Sequence, residues 1–235
     1  YYSLRSNLQY NNRYEYEGGN PLLRPTINQD LELNVTCSWL TFAAGYSHSK
    51  DIRLSFADQY QEGSEITVYT NRNFDKFDSY YASLTASPRL GFYNPTLTLN
   101  YFQQHFDTRK YGLDKSLGKP QFEINLRNWF TIGNTAKAML SLYYSTANDY
   151  GFTRYAHDFY IDVRAQKTFL DGDLTVALFA DDLFHTSRER WTACYPVSST
   201  NKDNDIYMRC VGASVTYTFN ATRSKYKGTG AGNAE

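Results

Sequence analysis

Apolar and polar side chains alternate along most of this chain, and this period of two constrains the fold more than any other feature. Between residues 155 and 169, Phe159, Ile161 and Val163 fall on one side of an extended chain, and Asp158 and Asp162 fall on the other. Such alternation indicates β-strands with one apolar and one wet face. It predicts about ten strands, at residues 1–8, 27–37, 39–58, 66–86, 95–109, 121–132, 136–149, 154–170, 173–192 and 205–219.

The connections between the predicted strands alternate between short and long. Short turns are expected at residues 37–39, 87–89, 133–135 and 171–173, and longer polar loops at 10–26, 59–65, 110–120 and 194–205. Outer-membrane barrels have short periplasmic turns and long outer loops. Several strands also exceed the roughly 9–11 residues that cross a bilayer. We therefore predict an all-β fold, an antiparallel transmembrane β-barrel.

The composition agrees with this fold and excludes several partners. Tyr occurs 22 times and Phe 15 times, while the mean hydropathy is −0.60. A hydrophilic but aromatic-rich chain suits a sheet with an apolar face, a wet face and aromatic girdles. Lys plus Arg and Asp plus Glu both number 24, so the net charge indicates no nucleic acid partner. The three cysteines match no metal or redox spacing, and we expect no metal and no cofactor.

The domain organisation changes near the end of the chain. Residues 1–219 are interpreted as the C-terminal portion of the barrel, and residues 220–235, where the alternation stops, as a flexible C-terminal tail. The first eight residues contain no apolar signal segment, and we expect the chain to be a fragment of a longer protein. A partial sheet leaves two unpaired edges in lipid, so we expect that the fragment does not fold by itself.

Three short motifs carry a resemblance to a known family. One is a loop signature around Gly19-Asn20-Pro21, one is Asp182-Leu183-Phe184 at the end of a predicted hairpin, and one is the closing strand that ends at Phe219. In this order they resemble the barrel of TonB-dependent outer-membrane receptors, and more closely the outer membrane protein β-barrel family. The signature residues, which we interpret as structural, are Gly19, Asn20, Pro21, Leu23, Pro25, Glu32, Asp182, Leu183, Phe184, Tyr217 and Phe219.

The resemblance implies a function and a set of partners. It implies a barrel of about 22 strands, of which this chain supplies the C-terminal part, in the outer membrane of a Gram-negative bacterium. The implied partners are outer-membrane lipid, the missing barrel strands, an N-terminal plug domain, and the TonB energy-coupling system acting through that plug. The implied function is uptake of a large nutrient, such as a metal chelate, an oligosaccharide or a peptide. Two alternatives stay open: a passive porin or structural barrel, and a soluble β-sandwich that binds glycans.

Polar residues on the wet sides of the strands are candidates for a transport path. They could equally form hydrogen bonds across the lumen or to a plug, because a wet interior requires polar residues in any case. The candidate lumen-lining residues are Glu123, Arg127, Asp158, Asp162 and Arg164. The four histidines lie in no metal-ligand spacing, and the chain has no Gly-x-Ser-x-Gly elbow, so we expect no enzymatic activity.

Cys194 and Cys210 flank the last long loop, and a disulfide between them is an open alternative. Membrane-facing positions are even-numbered in 174–184 and odd-numbered in 211–219, so directly opposed residues should sum to an odd number. The two cysteines do not satisfy this rule, and a bridge between them would require a β-bulge.

Overall fold

A computed structural model describes residues 2–205 and 209–219, and the tail expected at 220–235 lies outside the described residues. These two ranges contain three short 3₁₀ helices, Tyr2–Leu4, Thr108–Tyr111 and Leu170–Gly172. None of the helices in the described ranges is long and apolar enough to cross a membrane. The strands are β1 (Leu8–Asn12), β2 (Glu15–Gly18), β3 (Ile27–Cys37), β4 (Leu40–Gln59), β5 (Thr67–Ala86), β6 (Tyr93–His105), β7 (Gln121–Ile132), β8 (Ala136–Ser145), β9 (Asn148–Tyr150), β10 (Thr153–Tyr155), β11 (Asp158–Phe169), β12 (Leu174–Asp181), β13 (Glu189–Cys194), β14 (Ser199–Asn204) and β15 (Cys210–Tyr217).

Nine of the described strands form one antiparallel wall. Their order is β3-β4-β5-β6-β7-β8-β11-β12-β15, and β1 and β2 extend the same sheet through a short parallel contact of β2 with β5. The all-β barrel fold predicted from the alternation is confirmed, and strands 27–37 and 121–132 have the expected bounds. The strand expected at 1–8 is wrong, because that segment contains a 3₁₀ helix and β1 begins at Leu8. Within the described residues β3 pairs only with β4 and β15 only with β12, so the wall is an open arc.

The register of the wall separates its two faces. Leu97, Leu126, Leu142 and Ile161 lie opposite one another across β6, β7, β8 and β11, which places them on one face. Between β12 and β15 every opposed pair joins an even-numbered to an odd-numbered residue, as in Leu178 and Ala213, so the expected parity is confirmed. We call the face that carries these side chains the apolar face and the opposite one the polar face.

The two ends of the wall differ in their connections. At the turn end, β3 and β4 are joined by the two residues Ser38 and Trp39, and β7 and β8 by residues 133–135. At the other end, which we call the loop end, the connections after β6, β8 and β12 are long. The alternation of short and long connections is thus the one expected of an outer-membrane barrel.

Near the loop end, the two faces of β4 and β5 exchange places. Asp51 has a φ of 55°, and the register passes from Lys50 opposite Lys76 to Ile52 opposite Phe74. Below this irregularity the even-numbered residues of both strands lie on the apolar face. Even-numbered Phe74 lies above it, yet is buried in the same cluster as odd-numbered Phe77, which lies below it opposite Ser49. A left-handed residue turns the strand locally, as in a β-bulge, and so brings apolar side chains from both sides of the irregularity into one cluster.

An aromatic core fills the space under the long connections. It consists of Phe56, Phe74, Phe77, Phe106 and Phe152, each at most 4% exposed. Phe74 has its ring centroid 5.7 Å from that of Phe106 and 5.1 Å from that of Phe152, so strand β5 is packed against two separate loops. Aromatic pairs at these distances add about 0.5–1.5 kcal/mol each beyond area burial. The loop end is therefore packed like a soluble protein.

A second sheet of four short strands, which we call the loop sheet, lies at the loop end in the order β14-β13-β10-β9. It corrects the strands predicted at 136–149, 154–170 and 173–192, because at the loop end β8 ends at residue 145, β11 begins only at residue 158 and β12 ends at residue 181. Gly151, with a φ of 57°, forms the turn between β9 and β10. The strand-forming residues of this hairpin continue the alternation, and for this reason the sequence did not indicate where the chain leaves the wall.

Candidate functional site

The loop signature between β2 and β3 fastens the chain to the upper parts of β4 and β5. Asn20 Nδ2 donates to the carbonyl of Asn71 (3.1 Å), and Asn20 Oδ1 accepts from Leu22 N (2.9 Å). The Arg24 guanidinium lies 2.6 Å from Asp51 Oδ1. Asn73 Nδ2 donates hydrogen bonds to the backbone carbonyls of both Arg24 and Asp51. These contacts stabilise the backbone around Asp51, where the two faces of β4 and β5 exchange. Of the signature residues they involve Asn20 directly, and the structural interpretation of the whole set stays a prediction.

Glu32 belongs to a row of three residues on the polar face. It lies opposite Gly45, which lies opposite Tyr81 on the next strand. The Tyr81 hydroxyl donates to Glu32, and a Cβ at Gly45 would approach the Tyr81 ring to 2.4 Å. Glycine is therefore needed at position 45 to let the ring cross β4 and reach the carboxylate. Phe179 covers Gly212 in the same way between β12 and β15.

Asp182 directly follows strand β12 and organises the connection to β13. It has a φ of 46° and is 1% exposed. Its Oδ1 accepts from the backbone N–H of Thr186 (2.8 Å), and its own N–H donates to Asp162 Oδ1 (2.9 Å). Leu183 N donates to the carbonyl of Ile161 (2.8 Å), and Phe184 stays 62% exposed.

The closing aromatic residues lie at the turn end of the wall. Tyr217 lies opposite Leu174 at the end of β15, and its ring stacks on that of Phe219 at 6.3 Å. Phe219 is 74% exposed. Such rings suit the interface between lipid and water, where an aromatic girdle is expected.

The register brings all five candidate lumen-lining residues to the polar face. Glu123 and Asp158 both lie opposite Ser145, and Arg127 and Asp162 both lie opposite Ser141. These pairs are thus two strands apart, or roughly 10 Å. The fifth residue, Arg164, forms an ion pair with Asp181 at 2.9 Å.

The acidic members of this set are already engaged with other groups. Glu123 accepts from Asn100 Nδ2 (2.9 Å) and from the Tyr143 hydroxyl (3.1 Å). Asp158 accepts from the Ser187 hydroxyl and Arg188 N (both 3.4 Å), while Asp162 accepts from Asp182 N. The two aspartates therefore connect β11 with the loop that leaves β12.

A cleft of about 650 Å³ lies between the polar face and the loop sheet. No sequence pattern indicated this cleft, because its lining comes from four separate parts of the chain. Tyr155 and Trp191, which lie opposite each other on β10 and β13, are two of its aromatic residues. The full aromatic lining is Phe102, Tyr143, Tyr150, Tyr155 and Trp191, and the charged lining is Asp158, Arg188, Glu189 and Arg190. This combination offers flat apolar surfaces beside hydrogen-bonding groups, which is typical of ligand sites.

Two titratable groups of the cleft are shifted from their ordinary ranges. The pKa of Glu189 is lowered, mainly because the Lys202 ammonium donates to its carboxylate and also because Trp191 Nε1 donates to it (3.0 Å). Burial, and after it the neighbouring Tyr150, raises the pKa of Tyr155. Glu189 is thus a charged acceptor and Tyr155 a neutral donor around neutral pH.

The structure does not form the bridge between Cys194 and Cys210, since both are free thiols. Cys194 lies opposite Ser199 in the loop sheet and Cys210 opposite Asp181 in the wall, so the two cysteines belong to different sheets. In residues 2–205 and 209–219, no group of three or more His, Cys, Asp or Glu side chains is arranged to hold a metal ion. His48 Nδ1 lies 2.6 Å from Asp78, and His185 Nε2 lies 3.0 Å from Asp205.

Comparison with known proteins adds a family. The sequence matches the outer membrane protein beta-barrel family over residues 1–217. A solved structure of OmpT (in-vitro folded), an outer membrane protein of Vibrio cholerae, is similar to this chain with a TM-score of 0.43 and 13% sequence identity. That similarity covers 85% of this chain and 58% of the OmpT chain, so this chain spans less than two thirds of the other's length. No curated protein matches the sequence.

Proposed function

This chain belongs to the outer membrane protein beta-barrel family and lies in the outer membrane, and from that premise we propose that it forms part of the wall of a TonB-dependent receptor. Such a receptor imports a large nutrient, for example a metal chelate, an oligosaccharide or a peptide. The observation that carries the proposal is the open arc of nine antiparallel wall strands, whose polar face runs up to the cleft at the loop end.

The open arc supports a wide barrel. An unpaired strand edge in hydrocarbon costs several kcal/mol for each unsatisfied backbone group, so further strands must pair with β3 and β15. A barrel with many more strands than nine encloses a lumen too wide to be filled by its own side chains. An open lumen of that width would be a leak, and a plug domain closes it in large transporters. The proposed partners are therefore additional barrel strands, a plug, and the TonB system that acts on the plug.

The polar face supports a path for a hydrated cargo. Glu123, Arg127, Asp158, Asp162 and Arg164 give it charges of both signs, so it presents water-compatible groups rather than a packed core. The cleft of about 650 Å³ is in the size range of small-molecule sites. We propose that cargo first contacts this cleft, and we assign the chain no catalytic role, no cofactor and no nucleic acid partner.

A conductance measurement tests the proposal against the porin alternative. The full-length protein is inserted into planar lipid bilayers, and its binding to the periplasmic domain of TonB from the same bacterium is measured in detergent. We expect a closed barrel without steady current steps, together with saturable TonB binding. Steady ohmic current steps combined with no TonB binding would contradict a plugged receptor and favour a passive pore.

A further inference from the structure

Two lysines lie directly opposite each other on the apolar face, just beyond its aromatic boundary. Lys50 of β4 is paired with Lys76 of β5, and both side chains are exposed. Four residues closer to the turn end, Tyr46 and Tyr80 are also opposed, with ring centroids 5.2 Å apart. Leu31 lies opposite Tyr46 on the adjacent strand and is 73% exposed. The tyrosines thus mark the interface between the lipid and the headgroups.

Spacing along the strands places the lysines in the headgroup layer. Four residues of a strand span about 13 Å, which at a tilt of ~45° is a height of about 10 Å above the tyrosine row. The headgroup region of one leaflet is roughly 5–8 Å deep. A lysine side chain can reach several ångströms back toward the membrane, so both ammonium groups can meet headgroup phosphates.

Like charges directly opposed across two strands destabilise a sheet unless another charge compensates them. Lys76 has partial compensation, because its Nζ lies 3.0 Å from Asp78 Oδ2. The same carboxylate is 4% exposed and is already bonded by Tyr46 and His48. Among the described residues, no carboxylate lies within ion-pair distance of Lys50. The opposed pair Lys50 and Lys76 therefore carries an uncompensated positive charge at the level of the anionic headgroups.

Further basic groups surround Lys76. His105 lies opposite Asp78 on β6, and a shallow cleft of about 210 Å³ contains Lys76, His105 and Lys110. This cleft also holds the carboxylates of Asp75 and Asp107, of which Asp107 is bonded by Arg109 at 2.9 Å. Because Asp107 is already paired with Arg109, the two ammonium groups of Lys76 and Lys110 face the single remaining carboxylate of Asp75 in this cleft.

We propose that Lys50 and Lys76, together with His105, bind the phosphate groups of a phosphorylated glycolipid in the outer leaflet. Ammonium groups bind phosphate through charge-assisted hydrogen bonds, and clusters of basic residues at membrane surfaces select anionic headgroups. The acyl chains of the same lipid lie along the apolar face below the tyrosine row. The site depends on the apolar face meeting lipid and not on transport, so it stands or falls separately from the proposed receptor function.

Lipid binding to the full-length protein in detergent tests this site. Native mass spectrometry measures the affinity for diphosphorylated lipid A and for its fully dephosphorylated form. We expect the phosphorylated form to bind more tightly, and the double variant Lys50→Gln, Lys76→Gln to bind it about 30-fold more weakly. The control variant Arg89→Gln, Lys137→Gln removes the same charge from the turn end of the wall and is expected to bind like the parent.

Three outcomes would overturn the proposal. Equal affinity for both forms of lipid A would show that the phosphates are not recognised, and equal weakening by the control variant would reduce the effect to net charge. Competition by inorganic phosphate at low millimolar concentration would mean that the site binds free phosphate instead of a lipid. Heat-modifiable migration in gel electrophoresis verifies that each variant is folded, and a Lys50→Arg, Lys76→Arg variant is expected to retain binding.

Discussion

Side chains in the wall and side chains at the loop end of this molecule come into contact in different ways. In the wall, Leu178 lies opposite Ala165 on one side and Ala213 on the other, and each of these contacts follows from strand order and register. At the loop end, Phe74 packs against Phe106 and Phe152, which come from two loops on other parts of the chain. The apolar face of the wall contacts lipid, whereas the aromatic core is buried by protein side chains alone. The same type of side chain should therefore contribute very differently in the two regions.

Replacing a phenylalanine in each region gives the largest expected contrast. Phe74→Ala removes a ring that is 3% exposed, and the resulting cavity should destabilise the loop end by about 3–5 kcal/mol. Phe122→Ala removes a ring that is 52% exposed on the apolar face, where lipid fills the space, so its cost should stay within about 1 kcal/mol. Hydrogen exchange of full-length protein in lipid measures both effects region by region. Equal protection losses in the two variants would show that the loop end is not packed as a separate core.

Replacing two adjacent residues of β12 tests the division of the wall into faces. Leu178→Arg places a charge on the apolar face near the middle of the strand and should cost about 2–4 kcal/mol. Ala177→Arg, one residue away, directs the same charge to the polar face and should cost much less. Reversible urea unfolding of the full-length protein in lipid vesicles measures the free energies of both variants. A larger cost for Ala177→Arg would mean that the faces are assigned the wrong way round.

The two regions also differ in how much of them the sequence could predict. The alternation was sufficient for the wall, because strand pairing repeats every two residues and a slip by one residue would expose the wrong face. It located Ile27–Cys37 and Gln121–Ile132 with their bounds, and it also predicted the parity between β12 and β15. The same signal failed where strands continue beyond the membrane. Asn148–Tyr150 and Thr153–Tyr155 continue the alternation but belong to the loop sheet.

The candidate site was predictable only in part for a related reason. Residues on regular strands, such as Glu123 and Asp158, could be assigned to a common face from their positions alone. The exchange of faces at Asp51 depends on one left-handed residue, and aspartate is only moderately enriched in that conformation. The cleft depends on the contact between β10 and β13, whose residues are more than thirty positions apart. No local pattern encodes such a contact, so Tyr155 and Trp191 could not be recognised as neighbours.

A pH titration should produce the smallest effect, confined to the loop sheet. Trp191 Nε1 and Lys202 Nζ both donate to Glu189, and the pKa of this carboxylate is lowered below its ordinary value of 4.5, with the Lys202 contact as the largest cause. A lowered pKa stabilises the folded form above pH 4.5, and this contribution is lost as the pH falls through the folded value. Trp191 fluorescence should therefore be constant from neutral pH to about pH 5 and change below pH 4.5.

Two variants isolate this transition from other acidic groups. Glu189→Gln keeps an oxygen that accepts from Trp191 but cannot titrate, so the fluorescence change should disappear. Trp191→Phe removes the reporter, and any remaining change then arises from the other two tryptophans, Trp39 and Trp129. Because Trp129 lies in wall strand β7, its signal should follow unfolding of the wall at still lower pH. A transition that survives in Glu189→Gln would instead assign the acid sensitivity to the wall and remove this distinction between the two regions.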